Sequence, residues 1–202
     1  MEANLERDLL AIKAVQINPE NYFTWTSGIK SPIYCDNRLT MSYPEIRNKI
    51  TQSFIQLINS MDEKPDVIAG CATAGIPHAA WLSEKMNLPM IYIRSKPKGH
   101  GKGNQIEGHY HRGQKVIVIE DLISTGGSAI VSANVLIDEG LHVIGVYSIF
   151  TYGLEIANQN FKKENLSYQS LANYDQLLNV LLKDNQIDHT TKEKLTQWRD
   201  QL

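Results

Sequence analysis

The sequence predicts an α/β fold with a central, mainly parallel sheet flanked by helices. Residues 116–119 (VIVI) form an unbroken apolar run rich in β-branched residues, which is typical of a strand buried on both faces of such a sheet. Short apolar segments alternate with amphipathic ones over residues 66–150, as in repeated strand–helix–strand units. The 202 residues, 42% of them hydrophobic, suffice for one core but not for two comfortable domains. We therefore expect a single domain spanning residues 1–202.

The predicted elements follow one another with few long connections. An apolar stripe from Leu5 to Val15 predicts an N-terminal helix that Asn18 and Pro19 end. Residues 23–38 mix aromatic, hydroxyl and glycine residues and predict an irregular hairpin over one end of the sheet. The remaining predictions are helices at 43–61, 75–86 and 128–139, strands at 66–70, 89–93, 116–119 and 142–150, one C-terminal helix containing Leu171 to Leu182 and a last helix near 190–202.

Composition excludes several classes of protein. The net charge of −2 leaves no overall basic surface, so we expect no nucleic-acid partner. Cys35 and Cys71 lack metal-ligand spacing and fit a reducing compartment. No apolar run approaches transmembrane length and residues 1–20 do not resemble a signal peptide. We therefore expect a cytoplasmic protein that does not bind membranes.

The candidate ligand site lies directly after the strand at 116–119. Glu120 and Asp121 come where that strand is expected to leave the sheet, and residues 124–128 (STGGS) precede the next helix. Carboxylates can accept hydrogen bonds from a diol, whereas loop amides and hydroxyls at a helix N-terminus favour a phosphate. Together they predict a site for a ribose 5-phosphate at the carboxyl edge of the sheet. The alternative is a strand capped by acids, with Ser124 or Thr125 capping a helix.

Two further segments fit a polyanionic ligand. Residues 70–76 (GCATAGI) form a second small-residue turn between a strand and a helix, common in itself but suited to a second phosphate. Residues 94–113 form a long glycine-rich connection whose cations could close over a polyanion, although a solvated basic loop is the alternative. His109 and His111 could share a metal, but no third ligand is apparent, so we expect no metal site built from side chains alone.

Residues 116–129 (VIVIEDLISTGGSA) resemble the phosphoribosyl-pyrophosphate signature of the type I phosphoribosyltransferase family. Residues 23–34 (FTWTSGIKSPIY) resemble the hood of its members that use orotate, and residues 70–76 resemble the family's pyrophosphate loop. The resemblance covers most of residues 20–155. It implies the type I phosphoribosyltransferase-like fold, with a hood at about 18–40, a core at about 44–155 and a C-terminal helical segment at about 165–202.

The resemblance also implies roles for individual residues. The ribose hydroxyls and 5-phosphate of 5-phosphoribosyl 1-pyrophosphate (PRPP) would contact Glu120, Asp121, Leu122, Ile123, Ser124, Thr125, Gly126, Gly127 and Ser128. The pyrophosphate loop would comprise Ala72, Thr73, Ala74 and Gly75. Arg94, Lys98 and His100 would reach the pyrophosphate in a neighbouring subunit, so a homodimer is implied. Orotate would lie near Ser124, with Ser27 and Lys30 in the hood, and Lys98, His100 and Asp121 would carry catalysis.

The implied reaction is transfer of ribose 5-phosphate from PRPP to orotate, giving orotidine 5′-monophosphate and pyrophosphate in de novo pyrimidine biosynthesis. Mg²⁺ is expected to bind through the substrate. A transferase for another base, or a non-catalytic PRPP sensor that regulates transcription, remains an alternative, although no helix-turn-helix is visible.

The sequence departs from the better known bacterial pattern at four positions where relatives carry cations. These positions are Thr26, Ala74, Ser95 and Tyr152. The departures leave open which group meets the orotate carboxylate. Lys30, Arg38 or backbone amides of the hood are the candidates.

Overall fold

The computed structural model describes residues 5–24, 28–96 and 105–202. Its helices are α1 (Leu5–Ala11), α2 (Pro44–Ser60), α3 (Gly75–Met86), α4 (Gly127–Asp138), α5 (Glu155–Lys163), α6 (Tyr174–Lys183) and α7 (His189–Asp200), with a 3₁₀ helix at Asn37–Ser42. Its strands are β1 (Val15–Ile17), β2 (Phe23–Thr24), β3 (Lys30–Ser31), β4 (Ile33–Cys35), β5 (Val67–Cys71), β6 (Met90–Ile93), β7 (Ile106–Glu107), β8 (Lys115–Ile123), β9 (His142–Thr151) and β10 (Tyr168–Asn173).

Six strands form the central sheet in the order β10-β9-β8-β5-β6-β7. All neighbours are parallel except β7, which is antiparallel to β6. The predicted mainly parallel α/β fold is therefore confirmed. The carboxyl ends of β5 and β8 lie side by side, so the two predicted anion-binding turns come together there.

Hydrophobic clusters cover both faces of the sheet. On one face Ile117 and Ile119 of β8 pack in a cluster with residues of α1, α2, α3 and α6. On the other face Val116 and Val118 pack in a cluster with residues of α4 and α5. All four β8 side chains are fully buried, which explains why this run is uniformly apolar instead of alternating.

The N-terminal segment folds as short hairpin-like pairs beside this core. β2 pairs antiparallel with β3, and β1 pairs antiparallel with β4. The predicted irregular hairpin is thus confirmed in the described residues, and the 3₁₀ helix then leads into α2. Thr26 and Ser27 lie outside the described residues.

Several predicted boundaries are wrong. β8 continues to Ile123, so the acid pair lies inside the strand; carboxylates are depleted in strands, and that depletion suggested an earlier end. Leu171 belongs to β10 instead of the C-terminal helix, whose apolar spacing it continues by coincidence. Val15 begins β1 instead of ending α1. The segment predicted as loop at 94–113 contains β7, and α5 was not predicted.

Within the described residues, no helix combines the length and the apolar character needed to span a lipid bilayer.

Candidate functional site

The acid pair lies where the central strand loses one of its neighbours. Pairing of β8 with β5 ends at Gly70 and Ile119, whereas pairing with β9 continues to Ile123 and Thr151. One edge of the strand is therefore open from Glu120 onward. The prediction that the strand leaves the sheet at Glu120 is therefore correct for its pairing with β5 but wrong for its pairing with β9.

The two carboxyl groups have different environments. Glu120 is 5% exposed, and its Oε1 accepts a hydrogen bond from the Asp121 amide at 3.0 Å. Its Oε2 accepts a longer one from the Ser128 hydroxyl at 3.4 Å. Burial, followed by hydrogen bonding to and charge on Asp121, raises the pKa of Glu120 to about 8. Asp121 is only half-buried and lines the adjacent cleft, so the two neighbouring carboxyl groups differ in their exposure to a ligand.

The loop after β8 presents the N-terminus of α4 without a side-chain cap. Gly126 is the cap residue, with φ of +83°, and neither Ser124 nor Thr125 caps the helix as the alternative interpretation proposed. A Cβ on Gly126 would lie 2.5 Å from Cε2 of Phe161, so this position requires glycine. The first turn of α4 contains no acidic residue. The amides at this terminus are thus suited to an anion.

Side chains from neighbouring elements hold that loop from outside. The Asn160 amide donates to the carbonyl of Thr125 at 3.0 Å, and the Thr151 hydroxyl donates to the carbonyl of Ile123 at 3.0 Å. Both bonds use backbone carbonyl oxygens, one at the end of β8 and one in the loop. The loop amides remain available for a ligand.

The second turn, residues 72–74, connects β5 to α3. The Ala72 amide donates to the carbonyl of Ile93 at 2.9 Å, and the Ala72–Thr73 peptide bond is cis. Gly75 then lies against β8, because a Cβ there would be 2.3 Å from the Ile119 carbonyl oxygen and 3.2 Å from the Cα of Glu120. The absent side chain therefore lets the second turn approach the acid pair.

The acid pair, the second turn, Ser128 of α4 and part of the hood line one open cleft of about 380 Å³, whereas residues 123–127 do not line it. The lining residues are Cys35, Asp36, Arg38, Ala72, Thr73, Ala74, Glu120, Asp121, Leu122 and Ser128. The structure thus brings together members of the signature segment and of the predicted pyrophosphate loop. A larger cleft of about 920 Å³ lies between residues 17–22 and the C-terminal helices. It contains none of the motif residues, so we do not assign the chemistry to it.

The cleft-lining cation in the hood is Arg38. Its guanidinium bonds the Asp36 carboxylate through Nε at 2.6 Å and Nη2 at 2.8 Å, which raises the pKa of Arg38 and lowers that of Asp36. Lys30 instead donates to the Thr24 hydroxyl at 2.7 Å and does not line the cleft. Tyr152 is 4% exposed, and burial raises its pKa, so it faces the protein interior.

Other predicted site residues lie apart from the cleft or are not described. Arg94 directly follows β6, where its Nη1 lies 3.4 Å from Glu107 Oε1 and its backbone amide donates to the carbonyl of Gln105. It does not line the cleft. Ser27, Lys98 and His100 lie outside the described residues. The sequence prediction omitted Cys35 and Asp36, whose proximity to Asp121 depends on the placement of the hood and has no signal in local spacing.

The side chains that the structure describes form no preassembled metal cage. No group of three or more potential ligands occurs in the described ranges 5–24, 28–96 and 105–202. The cleft does offer the carboxylate oxygens of Asp36 and Asp121. These hard ligands fit Mg²⁺, which usually binds through one or two carboxylates together with substrate phosphates.

Comparison with known proteins identifies the family. Residues 42–168 match the phosphoribosyl transferase domain. The chain is 54% identical over its full length to the whole orotate phosphoribosyltransferase of Oceanobacillus iheyensis, and 53% identical over 98% of its length to that of Bacillus pumilus, covering 94% of the latter.

Solved structures of phosphoribosyltransferases also superimpose on this chain. The orotate phosphoribosyltransferase from Aeropyrum pernix superimposes with a TM-score of 0.78 and 27% identity over 88% of this chain and 98% of its own. The fold is also shared by an adenine phosphoribosyltransferase from Trypanosoma brucei, whose structure is a complex with AMP, pyrophosphate and ribose 5-phosphate. That structure superimposes with a TM-score of 0.62 and 16% identity over 85% of this chain and 80% of its own. The chain therefore belongs to the orotate phosphoribosyltransferase family, within the type I phosphoribosyltransferases.

Proposed function

We propose that this chain transfers ribose 5-phosphate from PRPP to a ring nitrogen of orotate, yielding orotidine 5′-monophosphate and pyrophosphate for pyrimidine biosynthesis. The observation that carries this function is the shared cleft, into which the acid pair of β8 and the turn before α3 both open beside the N-terminus of α4. A diol, a terminal phosphate and a diphosphate each have a chemically matched partner there. The full-length identity to orotate phosphoribosyltransferases selects the acceptor.

The ribose hydroxyls would bind the acid pair. Asp121 lines the cleft and would accept hydrogen bonds from the diol, while Glu120, protonated below its raised pKa, could also donate one. The 5-phosphate would bind the amides and hydroxyls of residues 124–128 at the N-terminus of α4. Leu122 and Ile123 connect these two subsites. The pyrophosphate would lie along Ala72, Thr73, Ala74 and Gly75.

The reaction breaks the bond between the anomeric carbon and pyrophosphate and forms a bond from that carbon to the acceptor nitrogen, whose proton passes to the departing pyrophosphate or to water. Positive charge builds on the ribose, as in glycosyl transfer, and negative charge builds on the leaving group. Asp121 would face the developing ribose cation and stabilise it electrostatically. No residue needs to act as a covalent nucleophile, because positioning and charge complementarity suffice for this step.

Mg²⁺ is the implied cofactor and would enter with the polyphosphate. When bound, it supplies charge neutralisation for the pyrophosphate. Asp121 and Asp36, as carboxylates lining the cleft, are the residues that could contact it or its water shell.

The acceptor site would lie between Ser124 and the hood. Arg38 is better placed than Lys30 to meet the orotate carboxylate, because Arg38 lines the cleft and Lys30 is bonded to Thr24. The Asp36 carboxylate holds the guanidinium through Nε and Nη2, which leaves Nη1 for a second carboxylate. Ser27 remains a further candidate contact.

The basic segment at 94–113 would cover the pyrophosphate, with Lys98 and His100 acting on the leaving group. Arg94 does not line the cleft of its own chain. This placement supports a homodimer in which Arg94, Lys98 and His100 complete the neighbouring subunit's site.

A panel of acceptors tests this function. The purified chain would be incubated with PRPP and Mg²⁺ and with orotate, uracil, hypoxanthine, guanine or adenine, and the nucleotide product would be quantified by chromatography. We expect product with orotate at a rate at least 100-fold above that with any other base. Preference for another base would reassign the acceptor, and PRPP binding without any product would favour a sensor.

A further inference from the structure

A buried polar cluster lies behind the acid pair and joins three parts of the candidate site. Asn37 begins the 3₁₀ helix at the end of the hood, Thr40 lies one turn later, and His78 lies on α3, which follows the pyrophosphate loop. Asn37 and Thr40 are 0% exposed and His78 is 1% exposed. None of the three lines the cleft, so none is expected to touch the substrate.

Asn37 makes the contact that reaches the acid pair. Its Nδ2 donates a hydrogen bond to the backbone carbonyl of Asp121 at 2.6 Å, across 84 residues of sequence. Pairing between β5 and β8 has already ended at Ile119. The Asn37 amide therefore satisfies a carbonyl on a stretch of strand that β5 no longer covers.

The cluster has one consistent set of hydrogen-bond directions. The Thr40 hydroxyl donates to the Asn37 carbonyl at 2.6 Å, so its oxygen is left to accept from His78 Nε2 at 3.3 Å. Burial lowers the pKa of His78 to about 4, so the ring is neutral at physiological pH and carries its proton on Nε2. This ring also forms a T-shaped contact with Trp81, with centroids 5.3 Å apart.

The same cluster contains the unpaired buried atoms. In the described part of the chain, two buried side-chain polar atoms lack a hydrogen-bond partner, Asn37 Oδ1 and His78 Nδ1. Burying an unpaired acceptor destabilises the folded state. An apolar residue would avoid that cost at position 37, so packing alone does not explain an asparagine there.

We propose that Asn37 is a positioning residue, which fixes the backbone of Asp121 and thereby the carboxylate that holds the ribose, with Thr40 and His78 holding Asn37 in place. The hood, the helix after the pyrophosphate loop and the acid pair would then share one buried anchor. This role rests on the proposed function, because it assumes that Asp121 binds the ribose of PRPP.

Asn37→Asp tests the role with almost no change in shape. When its carboxyl group is ionised, the substitution replaces the amide that donates to the Asp121 carbonyl by an oxygen that repels it. Ribose 5-phosphate binding would be measured by titration calorimetry, and steady-state kinetics would give KM for PRPP and kcat. We expect Kd for ribose 5-phosphate and KM for PRPP to rise at least 10-fold, with a smaller fall in kcat. Thr40→Val, which removes the hydroxyl that links Asn37 to His78, should raise both constants about 3-fold.

Tyr174→Phe is the matched control. Tyr174 is fully buried and donates to the carbonyl of Leu195 at 3.2 Å, the same kind of bond, but in the C-terminal helices. It should lower Tm without changing Kd or KM. A purely structural Asn37 would give the same result as this control, with Kd within 2-fold of wild type, and that outcome would overturn the proposal. If Asn37→Asp does not fold, an unchanged Kd in Thr40→Val would overturn it.

The binding readout separates this role from the proposed reaction. A wild-type chain that binds ribose 5-phosphate but forms no nucleotide from orotate would contradict the proposed function, while the calorimetric comparison of variants would still decide the role of Asn37. A wild-type chain that does not bind ribose 5-phosphate would contradict both.

Discussion

Gly75→Ala is the substitution that most directly probes how the two turns are brought together. Its Cβ would lie 2.3 Å from the Ile119 carbonyl oxygen and 3.1 Å from the Ile119 carbonyl carbon. Ordinary contacts of a Cβ begin near 3.4 Å, so α3 and β8 must separate by about 1 Å. Both opposing atoms belong to backbone and cannot rotate away. The φ angle of Gly75 is not in the left-handed region, so the clash is the sole obstacle to alanine.

The expected cost follows from that displacement. Overpacking of this kind typically destabilises a protein by about 1–3 kcal/mol. Because the displaced strand carries Glu120 and Asp121, the pyrophosphate loop and the acid pair would also move apart, and a misplacement of about 1 Å can lower activity about 100-fold. We therefore expect a modest loss of stability and a large loss of kcat/KM for PRPP.

Urea unfolding and steady-state kinetics on Gly75→Ala and Gly145→Ala measure these two effects. Gly145 is a suitable control, since a Cβ there would meet the Ser167 hydroxyl at 2.8 Å and the Tyr147 hydroxyl at 2.9 Å, both on side chains that can move. The control should keep kcat/KM near wild type. Wild-type kcat/KM in Gly75→Ala would refute the claim that contact between α3 and β8 sets the geometry of the site.

Three further substitutions test individual contacts. Wild type should lose a few kcal/mol of unfolding free energy as pH rises from about 4.5 to 8, because the unfolded state releases the Glu120 proton at lower pH than the folded state does. Glu120→Gln should remove this pH dependence. Equal pH profiles of urea unfolding for the variant and the wild type would contradict the raised pKa of Glu120. Arg38→Met should raise KM for orotate about 10-fold and Lys30→Met less, whereas the reverse order in steady-state kinetics would assign the carboxylate to Lys30. Gly126→Ala should weaken ribose 5-phosphate binding, measured by calorimetry, at least 10-fold, because the new Cβ would clash with Phe161. The control Gly113→Ala should not weaken it, since Gly113 has a similar φ of +85° but no atom near the position of a Cβ. Equal Kd values for the two variants would show that the loop after β8 is not part of the site.

The sequence predicts best those elements in which every position is buried and therefore apolar. The run at 116–119 is buried on both faces, so each position is apolar and the strand is unambiguous. β10 was missed for the opposite reason. Its sequence, YQSLAN, lies at the edge of the sheet and is only partly buried, and Leu171 continues the apolar spacing of α6.

In the candidate site, too, some features can be predicted from the sequence and others cannot. The order of acids, hydroxyls and glycines after β8 indicates a sugar phosphate because those residues are adjacent in the chain. Arg38 and Asn37 reach the same place only through the fold, and the Asn37–Asp121 contact spans 84 residues. The end of the β5 ladder at Ile119, which makes Asn37 necessary, likewise cannot be inferred from local composition.

A crystal structure of the chain with ribose 5-phosphate tests the central claim most directly. We predict that the phosphate contacts the amides of residues 124–128 at the N-terminus of α4 and that the ribose hydroxyls contact Asp121 and Glu120. A ligand bound elsewhere, for example in the larger cleft beside the C-terminal helices, with the end of β8 unliganded, would contradict the account.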